Sequence, residues 1–135
     1  MIPALLALVA ILPFSPGDNG MPYQIVPSAP ERVGLADRLA ADLRHNGRRI
    51  VRGPSDCADA ACARRAGAAL GASKVVFGSA TRYMALIWGA EAQIVDVASG
   101  RVEGPYKLGY KGDYDALREG MDNLATALDR RLPTE

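Results

Sequence analysis

At 135 residues the chain has the length of one domain and can bury a core without metals or a dense disulfide framework. Hydrophobic residues make up 49% and charged residues 23%, a globular balance that excludes a disordered chain. Sixteen Lys and Arg against fifteen Asp and Glu argue against a dedicated nucleic-acid binder, which must neutralise many phosphates. No apolar run reaches the roughly eighteen residues needed to span a bilayer, so no transmembrane segment is expected.

The first element is the apolar run from Leu5 to Leu12. An export signal would begin with basic residues, yet the first basic side chain is Arg32. Apolar residues on both alternating faces instead predict a central strand over about 5–12, covered by helices on both sides, with a processed signal overlapping residues 1–17 as the alternative. Pro13 ends it, and Ser15 to Gly20 read as a turn. Ser28 with Glu31 forms a capping-box pattern, with Pro30 in the first turn of the helix that follows. Val33, Ala36, Leu39, Ala40 and Leu43 share one face of that helix, and Asn46-Gly47 stops it. The stretch from Arg48 to Gly53 is a short strand whose arginines suit a sheet edge.

A second, alanine-rich helix spans about 59–70, and its small side chains let it lie close against a sheet. Lys74 to Arg82 and Ile87 to Val97 read as strands joined by Tyr83 to Leu86, and Gly100 serves the next turn. The fifth strand, about 102–110, places Val102, Tyr106, Leu108 and Tyr110 on one face and Glu103, Lys107 and Lys111 on the other. Pro105 confines it to an edge. Asp113 caps a last helix whose Leu117, Met121, Leu124 and Leu128 recur at helical spacing, with Arg130 and Arg131 near its negative end. The order is β-α-β-α-β-β-β-α. Helical crossovers after the first two strands favour parallel neighbours, and the short turns later favour an antiparallel meander. The expected fold is α/β, with a mixed five-stranded sheet whose basic second and Pro-bearing fifth strands are the edges.

The stretches VAILPFSPGDNG, GLADRLAADLRHNGRRIV, ARRAGAALGASKVVFGSA and AQIVDVASGRVEG together resemble the amino-terminal domain of TolB. They resemble still more a family of small proteobacterial envelope proteins built on that fold. The resemblance runs from about Val9 to Leu132. It implies a three-layer α/β/α sandwich in which only the fourth strand runs antiparallel. It also implies binding and assembly at the envelope without catalysis, a periplasmic location, and paired cysteines before the second helix. The chain departs from TolB in lacking the propeller domain that follows there.

Chemistry-bearing residues are few. The single histidine, His45, lies at a helix end, where capping explains it better than a catalytic role. Two cysteines and one histidine do not make a structural zinc site, and GASKVVFGS lacks the spacing of a nucleotide loop. No catalytic residue, metal or cofactor is expected. Cys57 and Cys62 admit a structural disulfide if Cys57 precedes the Asp59 cap. Two unbridged thiols are the alternative, and redox chemistry lacks the Cys-x-x-Cys spacing. Arg44, His45, Arg48, Arg49 and Arg52 form a basic stretch read as a helix end and protected edge, or else as a contact for anionic partners. Tyr83, Met84, Leu86 and Trp88 are candidate partner-binding residues, because a hairpin connection is ordinarily polar and these types are enriched at interface centres. The competing reading is that the strands are longer and these side chains cover the sheet. The expected function is a non-enzymatic envelope accessory or assembly module that contacts another envelope protein. A small-ligand or lipid carrier with a cavity between sheet and helices is the alternative, and an enzyme the third option.

Overall fold

The computed structural model describes residues 8–18, 20 and 25–132. Its elements in chain order are β1 (Leu8–Ile11), β2 (Ser15–Pro16), α1 (Ala29–His45), β3 (Arg49–Arg52), α2 (Ala60–Leu70), β4 (Lys74–Met84), β5 (Ile87–Asp96), β6 (Val102–Lys111) and α3 (Tyr114–Asp129). One sheet runs in the order β3-β1-β4-β5-β6, with β2 beside β4. β1 is parallel to β3 and β4, while β5 is antiparallel to β4 and β6, so β5 alone is reversed. The basic strand and the Pro-bearing strand stand at the two edges, as their composition requires.

β1 occupies the interior because it is apolar on both faces. Val9 and Ile11 enter the core beneath α1 and α3, and Ala10 and Leu12 enter the core beneath α2. Residues 5–7 of the expected first strand lie outside the described residues. The sheet holds six strands where five were expected. Ser15–Pro16, expected as part of a turn, pairs in parallel with Ser79 and Ala80 of β4. The Ser15 hydroxyl donates to the Gly78 carbonyl (2.9 Å) and the Gly17 N–H to that of Ala80 (2.8 Å). Pro16 is tolerated because this short strand lies beyond the end of β1, where a missing donor interrupts no ladder.

The helix signals act where the residues place them. The Ser28 N–H donates to the Glu31 carboxylate (2.8 Å), and the Glu31 N–H donates back to the Ser28 hydroxyl (3.2 Å). Asp113 accepts from the Ala116 N–H (2.9 Å). Gly47 takes a φ of +91°, which a side chain would resist. Leu35, Leu39 and Leu43 of α1 and Leu117, Met121, Leu124 and Leu128 of α3 share one core with Val76 and Ile94. On the other face Gly67 lets α2 approach closely, since a Cβ there would collide with the Val75 side chain.

The two helical layers are unequal. α1 and α3 cover one face, and α2 packs on β4 and β5 through Ala63, Val75, Phe77 and Val95. Beyond that contact no described helix covers the α2 side of β4, β5 and β6. β6 also departs from the expected alternation. One extra residue on β6 opposite Ala92–Ile94 makes a bulge, so Val102 pairs with Val95 and Glu103 with Ile94. Cross-strand partners share a face, so Val102 and Glu103 have exchanged sides relative to the simple alternation.

Candidate functional site

The β4–β5 ladder extends past the sheet core and closes in a two-residue turn, Ala85-Leu86. The strands are thus longer than the composition indicated, and of their added residues Tyr83 lies over Gly89 of β5 while Met84 stays exposed beside the turn. Met84 is 62% exposed, Leu86 59% and Tyr83 49%, and Ile87 is also exposed. Ile25, which bridges to Arg82, and its neighbour Val26 add apolar surface beside the same end of β4. The turn is held on both sides. Arg82 donates two hydrogen bonds to the Ala85 carbonyl (2.8 and 3.2 Å), and the Gly112 N–H donates to the Leu86 carbonyl (2.9 Å). A tip fixed in this way loses little further freedom on binding.

Trp88 corrects the expected set. It is only 1% exposed and belongs to the core under α1 and α3. Its ring lies 6.0 Å from that of Tyr114, and the Arg82 guanidinium sits 4.8 Å from its centroid. The physical reason is alternation: Trp88, Ala90, Ala92 and Ile94 occupy one face of β5 at period two, all buried. Its indole N–H has no hydrogen-bond partner among the described residues. Tyr114, which packs on it, donates its hydroxyl to the Glu31 carbonyl (2.8 Å). Gly34 makes room for that hydroxyl, as a Cβ there would collide with it. Burial raises the Tyr114 phenol above its ordinary value, with Glu31, Asp115 and Asp37 adding to the shift and Arg118 opposing it.

Next to the tip, the uncovered side of the sheet forms an open groove of about 610 Å³. Three cross-strand rows build it. Ser79, Glu91 and Lys107 lie on one row, Thr81, Gly89 and Gly109 on the next, and Ile87 pairs with Lys111 on the third. The paired glycines leave the middle row low. The Tyr83 ring folds back over Gly89, whereas no atom of the described residues lies within 4 Å of a Cβ placed at Gly109. Sequence reading missed this row because it depends on strand register; the two isolated glycines in strand patterns were its only trace.

The other candidate residues lie elsewhere. Cys57 and Cys62 form a disulfide with Cα atoms 5.6 Å apart, and the Cys62 N–H donates to the Asp59 cap (2.8 Å). Cys57 is buried against the α2-side core, so the bridge pins the loop before α2. In the basic stretch, Arg48 donates to the Asp129 carboxylate and carbonyl (both 2.8 Å), and Arg52 pairs with Asp37 (2.8 Å). Arg44 donates to the Ile50 carbonyl (3.3 Å). Arg44 and Arg48 tie helix ends to the sheet edge, and Arg52 ties that edge to the middle of α1. No group of three or more His, Cys, Asp or Glu side chains that could hold a metal ion occurs among the described residues, and no described helix is long and apolar enough to cross a membrane.

No protein-family model matches the sequence, and no curated protein does. Solved structures do match. A PelC dodecamer from Paraburkholderia phytofirmans has a TM-score of 0.59 at 17% identity, over 90% of this chain and 80% of that one. Lipoprotein GNA1162 from Neisseria meningitidis has a TM-score of 0.56 at 16% identity, over 93% of this chain and 95% of that one. TolB from Acinetobacter baumannii has a TM-score of 0.55 at 18% identity, over 91% of this chain but only 27% of that longer one. The chain therefore shares the fold of the TolB amino-terminal-like domain, which these proteins have in common at low sequence identity.

Proposed function

We propose that this protein is a non-enzymatic assembly module of the bacterial periplasm that grips another envelope protein with the β4–β5 tip. The observation that carries the reading is the cluster of Tyr83, Met84, Leu86 and Ile87, apolar and exposed on a turn held by Arg82 and Gly112. Large apolar side chains on a rigid support are the usual anchors of a protein interface. The fold likeness to TolB and to a lipoprotein supports an envelope setting, and a Cys57–Cys62 bridge suits an oxidising compartment. Trp88 takes a different part in this reading: from inside, it fixes the strand that carries the tip.

The double variant Met84→Ser, Leu86→Ser tests the proposal. Exposed side chains contribute little to folding, so the melt should move by less than about 0.5 kcal/mol. Capture of the partner from the native cell should fall sharply, since each lost anchor is worth on the order of 2 kcal/mol. A variant that captures the same protein as well as wild type does would refute the assignment of the tip. The carrier alternative anticipated a cavity between sheet and helices, whereas the groove described above lies on the outside of the sheet. A small molecule retained in native mass spectrometry would revive that alternative.

A further inference from the structure

The open side of the sheet holds a bump, a hollow and two opposite charges in one pattern. The bump is the half-exposed Tyr83 ring lying on Gly89 of β5. The hollow is the empty space above Gly109, directly across on β6. One row away, Glu91 on β5 stands opposite Lys107 on β6, and neither has an ion pair among the described residues. A two-fold axis parallel to the strands, passing between β5 and β6, exchanges those two columns when one sheet is laid on another. That operation sets the Tyr83 bump over the other copy's Gly109 and Glu91 over the other copy's Lys107, each contact occurring twice. A patch that satisfies its own complement under a two-fold is what an isologous interface requires.

We infer that this face docks a second copy of the same chain, Tyr83 filling the hollow at Gly109 and Glu91 pairing reciprocally with Lys107. The reading goes beyond the partner assigned to the tip: it seats Tyr83 against the second copy and leaves the exposed Met84 and Leu86 to that partner. The same axis leaves both β4–β5 tips at one end of the pair, pointing the same way. Two tips on one body would raise the avidity for any partner that presents two sites.

Sedimentation velocity across a dilution series is the test. Wild type should run at twice the chain mass, and Glu91→Lys and Lys107→Glu should each weaken association by more than about a hundredfold, because like charges then meet at both contacts. An equimolar mixture of those two variants should recover the dimer, since every contact becomes an opposite pair again. Gly109→Val supplies an uncharged check: a Cβ there meets nothing within 4 Å among the described residues, so the melt should hold while dimerisation fails. Met84→Ser, Leu86→Ser should remain dimeric whatever it does to partner capture. A wild type that stays monomeric, a closed species larger than a dimer, charge variants that dimerise normally, or a mixture that does not recover would each overturn the inference.

Discussion

The two faces of the sheet hold the same strands yet solve different problems. Under α1 and α3, strand positions are large and apolar wherever space allows: Val76, Trp88, Ile94 and Leu108 meet the helices as one continuous core. On the other face the character changes within single strands. β4 passes from Val75 and Phe77, covered by α2, to Thr81 and the exposed Tyr83, and β5 passes from Val95 to Glu91 and Gly89. A layer that ends part-way across a sheet leaves a boundary, and residues beyond it such as Ile87 and Lys107 are exposed and free of helix packing. That freedom is where a contact surface can be placed without weakening the core.

The largest expected effect falls on the covered face. Trp88→Ala should cost about 3–5 kcal/mol in chemical denaturation, as for other buried aromatics truncated to Ala. Trp88→Phe sharpens the point, for it removes an indole N–H that has no partner among the described residues and should cost far less. If Trp88→Ala were nearly neutral, the contrast between the faces would fail. On the half-covered face, Cys57→Ser with Cys62→Ser should cost about 2 kcal/mol, the chain-entropy value for so short a loop. Reduction of the wild type by dithiothreitol should match that loss, and two reactive thiols in unreduced protein from an oxidising compartment would deny the bridge. The smallest effect concerns Tyr114. Because its phenol is held above the ordinary value, its contribution to stability is fully present below about pH 10 and is lost as pH rises through the shifted value. Tyr114→Phe should remove that alkaline step from the pH dependence of the melt, while absorbance at alkaline pH shows one late-titrating phenol fewer.

Much of this division was readable from residue order. The apolar run of β1, the capping box at Ser28 and the Asp113 cap are local signals, and local chemistry decided them. Three features were not local. Ser15–Pro16 has the composition of a turn and becomes a strand only because β4 is long enough to offer it an edge. The bulge in β6 depends on pairing with β5, so the sides taken by Val102 and Glu103 cannot be read from β6 alone. Trp88 was drawn towards the tip by its apolar neighbours, although the period-two series Trp88, Ala90, Ala92, Ile94 already placed it inside. The hollow at Gly109 needs two strands in register before it exists at all.

The position of β1 has a consequence for how the chain is made. Its neighbours are β3, 41 residues further along, and β4, which begins at Lys74. A ribosome that has reached residue 70 has therefore produced an inner strand with one of its two edges unfilled. The β4–β5–β6 meander with α3, by contrast, closes through short-range contacts as soon as it emerges. Synthesis thus exposes the apolar β1 well before β4 can cover its second edge, an order that leaves it open to aggregation before the sheet closes.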